Sequence, residues 1–118
     1  MRIKIVGIID RGVPDKERLH LSVLADVDIV NYVIFDTVKI ANGTKILAIP
    51  KRAFWFSSVQ VRAGDNVVVY TRGGTPSKSI RPDGGHNHFF FWGQSSTLWH
   101  IPNSCAVVLE INEWVTSL

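Results

Sequence analysis

The segment from residue 52 to residue 72 constrains the fold more than any other part of the chain, because it combines two β-prone runs with a turn. The runs Phe54–Val61 and Val67–Thr71 are rich in aromatic and β-branched residues, and a polar break containing Gly64 and Asp65 separates them. Glycine can adopt a positive φ there, and the aspartate can hydrogen-bond the nearby backbone. This pattern predicts a β-hairpin. Three consecutive valines make the second strand apolar on both faces, so we expect it to be central.

Other extended patterns follow one another along the chain, and no window shows the 3.6-residue stripe of an amphipathic helix. Alternating or β-prone runs predict further strands at residues 2–9, 19–24, 29–40, 45–49, 86–92 and 106–111, with the long run 29–40 open to division into two strands. Short strands at spacings of about ten residues are typical of an antiparallel sandwich or barrel. We therefore predict an all-β protein whose residues 1–118 form a single domain.

The sequence also predicts the turns and loops that connect these strands. Asn42-Gly43 predicts a tight turn, and the thirteen residues 73–85, with their four glycines and two prolines, predict a long loop. Loops of that length tend to be functional or mobile. Residues 98–101 predict a short extended or 3₁₀ segment, and Trp114, just past the last strand, is expected to plug a sheet edge.

The amino-acid composition indicates the class of protein and the cellular compartment that suit this chain. A hydrophobic content of 46% is ordinary for a globular protein with a real core. Cys105 is the only cysteine, so these residues cannot form an intrachain disulfide, and a reducing compartment fits best. The apolar run near the N-terminus is too short for a signal segment or a spanning helix. We expect a soluble, cytoplasmic protein without a transmembrane segment.

The net charge of +3 is distributed unevenly along the sequence. Residues 39–81 carry eight basic side chains and one acidic side chain. The basic residues are Lys39, Lys45, Lys51, Arg52, Arg62, Arg72, Lys78 and Arg81. If their strands are neighbours, these side chains could form one surface for nucleic acid or an acidic partner. The alternative is a scatter of solubilising charges on exposed strands and loops.

An ordered set of short motifs resembles the lamin-tail domain over residues 17–114. The matching pieces are Glu17–Leu21, Asp28–Asp36, Phe54–Phe56, Ala63–Asp65, Val67–Thr71, Phe91–Gly93 and Ala106–Leu109. Asn31 stands where that family usually has a glycine, and Pro102–Cys105 replaces a glycine-containing turn, so the resemblance is to a divergent branch. It implies an immunoglobulin-like antiparallel β-sandwich of about seven to nine short strands, which fits the strand spacing above. It also implies a non-catalytic attachment module and transfers no catalytic residues.

His86 and His88 are the best candidates for a metal pair, because residues two apart on a strand project to the same face. A third ligand would have to come from Asp83 or His100. The alternative is that both histidines are polar residues at the start of a strand. We therefore expect no cofactor, and keep a metal or small-ligand site at these histidines as a secondary hypothesis.

The aromatic side chains exceed what a core of this size is expected to bury, since neighbours along a strand point to opposite faces. Outward aromatics would dock a second copy of the chain or a foreign protein, unless a folded-back loop buries them. We predict a non-enzymatic interaction module that docks a protein partner or itself through these aromatics and the region 73–88. The predicted binding residues are Arg52, Trp55, Arg62, Arg72, Lys78, Arg81, His86, His88 and Trp92. Nucleic-acid binding through residues 39–81 is the alternative.

Overall fold

The computed structural model describes residues 1–47 and 51–118, and this part of the chain forms eleven strands and two short 3₁₀ turns. The strands are β1 (Ile3–Ile9), β2 (Arg18–Val23), β3 (Val27–Asp28), β4 (Tyr32–Ile40), β5 (Lys45–Ile46), β6 (Arg52–Trp55), β7 (Gln60–Val61), β8 (Asn66–Tyr70), β9 (Ser77–Ile80), β10 (His86–Phe91) and β11 (Ser104–Glu110). The 3₁₀ turns are Ile29–Asn31 and Ala41–Gly43. Three of the strands have only two residues, which accounts for the excess over the seven to nine expected. The all-β prediction is confirmed.

The larger sheet has five strands in the order β1-β2-β8-β10-β9. Strand β8 is the middle strand, as its three valines predict, because it can bury side chains on both faces. Strand β2 shows the predicted alternation: Leu19, Leu21 and Val23 are buried and the residues between them are half-buried. Strand β10 lies parallel to β8 and antiparallel to β9, so the sheet is not purely antiparallel.

The smaller sheet is built on β4, which pairs antiparallel with β11, β6 and β5. Strands β3 and β7 form a separate two-stranded ribbon. One hydrophobic cluster joins the sheets: Leu19, Val67 and Phe90 come from the larger sheet, and Tyr32 and Ile34 from β4. The two sheets are therefore the layers of a β-sandwich.

The predicted hairpin of residues 54–71 is wrong in its pairing. The first run divides into β6, which pairs with β4, and β7, which pairs with β3. The second run forms β8, whose partners are β2 and β10. The turn at Gly64 and Asp65 does form, but it connects strands of different sheets. Local alternation fixes which residues are extended, whereas strand partners depend on contacts distant in sequence.

Three other local predictions change in the structure. The predicted loop 73–85 contains the edge strand β9. The run 29–40 is a 3₁₀ turn followed by one strand, with the Asp28 carboxylate accepting a hydrogen bond from Val30 N at the start of the turn. Residues 98–101 form a turn that is neither a strand nor a 3₁₀ helix. The turn at Asn42-Gly43 is confirmed, and the predicted strand 45–49 is observed at Lys45–Ile46, with its remainder partly outside the described residues.

Candidate functional site

The outer face of the smaller sheet is apolar across three strands. The pairing register places Leu109, Val33 and Trp55 in one row and Val107, Phe35 and Ala53 in the next. Their neighbours along the strands, including Ile34, Phe54 and Val108, contact the core, so these six side chains point away from it. Trp55 is 48% exposed and Leu109 is 42% exposed. We call these six residues the Trp55 face.

Trp55 is held in a fixed orientation on this face. Its indole Nε1 donates a hydrogen bond to the Val30 carbonyl at 2.7 Å. The Trp114 ring meets it edge to face, with centroids 5.6 Å apart. Trp114 thus packs against the outward side chain of Trp55, and it remains 67% exposed. A fixed, exposed tryptophan on an apolar surface is typical of a residue that anchors an interface.

Arg52 belongs to the other side of the same sheet. It faces Asp36 across the β4–β6 pair, with Nη1 3.2 Å from Oδ2. Asp36 is buried, and its other carboxylate oxygen has no hydrogen-bond partner among the described residues. Arg52 therefore compensates a buried charge, which gives it a structural role, and the binding role stays a prediction.

A polar cleft lies at the end of the larger sheet where β8 and β10 begin. Its volume is about 580 Å³. The lining residues are Gln60, Arg62, Ala63, Asp65, Lys78, Asp83, Gly84, Gly85, His86 and His88, and we call this the Asp65 cleft. Four predicted binding residues, Arg62, Lys78, His86 and His88, meet here although they come from three separate segments.

Asp65 organises the cleft. Its carboxylate accepts hydrogen bonds from the backbone N–H of Arg62 at 3.0 Å and of His86 at 3.0 Å. The ring Nε2 of His88 lies 2.8 Å from the same carboxylate, and both side chains are buried. Burial raises the pKa of Asp65, but the hydrogen bonds from Arg62, His88 and His86 outweigh it and lower the pKa below its usual value. Asp65 is thus an ionised carboxylate whose charge is stabilised by the protein.

The two histidines do not gain the third ligand that a metal pair requires. Among residues 1–47 and 51–118, no three His, Cys, Asp or Glu side chains are placed to hold a metal ion. The His86 and His88 ring centroids are 6.0 Å apart. Asp83 is bound to Arg81, and His100 lies 2.9 Å from the Thr97 hydroxyl. His88 instead uses its ring to fasten β10 to Asp65.

Arg81 connects the segments that form the cleft, although it does not itself line the cleft. Its guanidinium donates to the carbonyls of Gly64 at 2.7 Å and His86 at 3.1 Å, and it pairs with Asp83. A Cβ atom on Gly85 would overlap this guanidinium, so the glycine is needed for the close approach. Arg81 is therefore a structural residue that holds the 62–66 turn against the start of β10.

Two predicted binding residues lie elsewhere. Trp92 is only 9% exposed and belongs to the core, where it contacts Phe54 and Trp99, so it is not an outward aromatic. Arg72 stacks on the rings of Tyr70 and Phe91 at 4.9 and 5.0 Å. Its guanidinium also donates to backbone carbonyls, including that of Asp15. These contacts place Arg72 at the opposite end of the sheet, where it lines two other cavities.

The basic side chains of residues 39–81 do not lie on one surface. Lys39 and Lys45 lie on β4 and β5 of the smaller sheet. Arg62 and Lys78 line the Asp65 cleft, and Arg72 follows β8 at its other end. The charge pattern alone could not reveal this, since it does not specify which strands are neighbours. The placement favours local charged sites over a continuous nucleic-acid surface.

The sequence did not indicate that Glu17 has a structural role. This carboxylate is 1% exposed and accepts four hydrogen bonds. The donors are Gly12 N at 2.8 Å, Thr71 Oγ1 at 2.7 Å, Leu98 N at 2.7 Å and Trp99 N at 3.1 Å. The only signal in the sequence is an acidic residue directly before an alternating strand, which does not identify its distant donors.

No protein-family model, no curated protein and no solved structure matches this chain. The resemblance to the lamin-tail domain therefore stays a prediction. No helix in the described parts of the chain has the length and apolar character needed to cross a membrane.

Proposed function

We propose that this protein is a non-enzymatic interaction module that docks a protein through the Trp55 face. The observation that carries the proposal is the outward row of Leu109, Val33 and Trp55, which is apolar on three adjacent strands. A contiguous exposed apolar surface on a small domain is typical of a protein interface. The Trp55 indole, already oriented by its bond to Val30, would lose little side-chain entropy on binding.

A second copy of the chain is the partner we propose first. None of the six side chains of the Trp55 face carries a charge, so the face is best covered by another uncharged, apolar surface. A copy related by two-fold symmetry presents such a surface automatically, because an isologous interface uses the same residues on both sides. The sequence-based hypothesis of self-association through outward aromatics is thus narrowed to one sheet face.

Sedimentation equilibrium over a range of protein concentrations tests this proposal. Leu109→Glu places a charge in the face at an exposed position, so we expect the wild type to dimerise and the variant to be monomeric. Val6→Glu is the matched control, because Val6 is exposed on β1 of the other sheet. A wild type that is monomeric at every concentration would refute self-association and leave only a foreign apolar partner, to be tested with the same pair of variants.

We propose that the protein is located in the cytoplasm. The single thiol, Cys105, is buried in β11 and unbridged. A small β-sandwich that is stable through its hydrophobic cluster, without disulfides, is suited to a reducing compartment. Fractionation of cells expressing the full chain, with blotting of soluble and exported fractions, tests this assignment.

A further inference from the structure

The Asp65 cleft has features of a small-molecule site that are independent of the Trp55 face. Its volume of about 580 Å³ lies within the range of roughly 300–1,000 Å³ that ligand pockets usually have. The cleft is built from the 60–63 segment on one side and from Lys78 and residues 83–86 on the other, with His88 and Asp65 buried beneath them. Its base is rigid, because the carboxylate of Asp65 is hydrogen-bonded to both sides.

The charges that line this cleft do not cancel. Asp65 is occupied by its hydrogen bonds to two backbone N–H groups and to His88, and Asp83 is paired with Arg81. Arg62 and Lys78 form no ion pair within the described residues, and their side chains are exposed at the cleft. Two exposed cations that share one concave surface with a single buried carboxylate, Asp65, leave an excess of positive charge there.

The His86 ring adds a hydrogen-bonding group at the same place. It lines the cleft and makes no side-chain hydrogen bond within the described residues, whereas its backbone N–H and carbonyl are used by Asp65 and Arg81. An imidazole can donate to an anionic oxygen through a ring N–H. A guanidinium matches the paired oxygens of carboxylate or phosphate, and an ammonium supplies a point charge.

A smaller, apolar cavity adjoins the cleft. It has a volume of about 270 Å³ and shares Lys78 and His88 with the cleft. Its other lining residues are Val59, Pro76, Ser77, Phe89 and Phe90. A ligand whose anionic group lies between Arg62 and Lys78 could therefore extend an apolar portion past Lys78 toward Phe90.

We propose that the Asp65 cleft binds a small organic anion, with a carboxylate or phosphate group held by Arg62, Lys78 and His86 and an apolar portion in the adjoining cavity. Asp65 and His88 position the cleft and do not contact the anion. This site goes beyond the interaction function, since it lies on the larger sheet and uses none of the residues of the Trp55 face.

Titration calorimetry with inorganic phosphate, phenyl phosphate and phenylacetate tests the proposal. We expect saturable binding of phenyl phosphate or phenylacetate, tighter than that of inorganic phosphate, and these two probes distinguish the phosphate and carboxylate sources of the anion. In the variant Arg62→Gln/Lys78→Gln, the affinity should fall by at least about tenfold, as expected when charge-assisted hydrogen bonds are lost.

The matched control is Lys39→Gln/Lys45→Gln, which removes the same charge from exposed positions on the smaller sheet. Its affinity should stay within about twofold of the wild type, since charges separated by more than a Debye length are largely screened. An equal loss in both double variants would show that net charge alone drives binding, and would overturn the site. The absence of saturable binding for all three probes would also overturn the site. Equal affinity for inorganic phosphate and phenyl phosphate would overturn the apolar part of the proposal.

Discussion

Two buried carboxylates lie at opposite ends of the β2–β8 pair, and they are satisfied in different ways. Glu17 directly precedes β2 and Asp65 directly precedes β8. Because the pair is antiparallel, with Arg18 opposite Tyr70 and Ser22 opposite Asn66, the starts of the two strands are at opposite ends. Each carboxylate therefore fixes one end of the sandwich, and the two ends can be compared directly.

At the end of Glu17, cavities of about 220 and 700 Å³ are present, but the carboxylate itself is fully hydrogen-bonded. Its four donors are three backbone N–H groups and the Thr71 hydroxyl, none of which titrates near neutral pH. The nearby cation, Arg72, is stacked on Tyr70 and Phe91 and bonded to backbone carbonyls. Glu17 and Arg72 are thus engaged in contacts within the protein, so we assign these two side chains to stability.

The end at Asp65 is open. One of its donors is the side chain of His88, and the cations Arg62 and Lys78 beside it have no partners in the described residues. The same type of group, a buried carboxylate, is thus held by backbone and hydroxyl donors at one end and partly by a histidine beside two exposed cations at the other. The difference comes from the side chains around each carboxylate, so substitutions at the two ends should separate stability from binding.

The largest effect is expected for Glu17→Gln. The amide NH₂ of glutamine would replace one carboxylate oxygen, and would face either the Leu98 N–H and the Thr71 hydroxyl or the N–H groups of Gly12 and Trp99. Either orientation leaves buried donors unpaired. We expect the free energy of unfolding to fall by about 3 kcal/mol, measured by urea denaturation at pH 7. Glu113→Gln, at an exposed position, is the control. A loss of under about 1 kcal/mol would mean that Glu17 does not hold this end together.

An intermediate effect is expected for Asp65→Asn. Asparagine keeps one carbonyl oxygen for a backbone N–H but loses the charge that holds His88. We expect the free energy of unfolding to fall by about 2 kcal/mol at pH 7, with the exposed Asp15→Asn as control. Equal losses for Asp65→Asn and Glu17→Gln would remove the distinction between the two ends.

The same variant should change the dependence of stability on pH. The pKa of Asp65 is lowered in the folded protein, so its contribution is complete above the unfolded value of 3.8 and is lost as the pH falls through the folded pKa. The stability gap between wild type and Asp65→Asn should therefore narrow from pH 7 to pH 3 in urea denaturation. A gap that widens in acid would contradict the lowered pKa.

The sequence predicted the parts of this comparison that depend on neighbouring residues. The alternation in β2, the central position of β8 and the turn at Asp65 all follow from side chains within a few positions of one another. The four donors to Glu17 could not be predicted, because two of them, Leu98 and Trp99, are more than eighty residues away. The His88–Asp65 contact was missed for the same reason, since it forms only when β10 is inserted beside β8.

The smallest effect on stability is expected for His86→Gln, and it tests whether the open end is reserved for binding. The His86 ring makes no side-chain hydrogen bond within the described residues, whereas the His88 ring is buried against Asp65. We expect His86→Gln to change the free energy of unfolding by less than about 0.5 kcal/mol, and His88→Gln to lower it by about 1–2 kcal/mol. Both values can be measured by urea denaturation at pH 7. If His86→Gln is as destabilising as His88→Gln, then the His86 ring supports the fold, and the two ends of the sheet differ less than their geometry indicates.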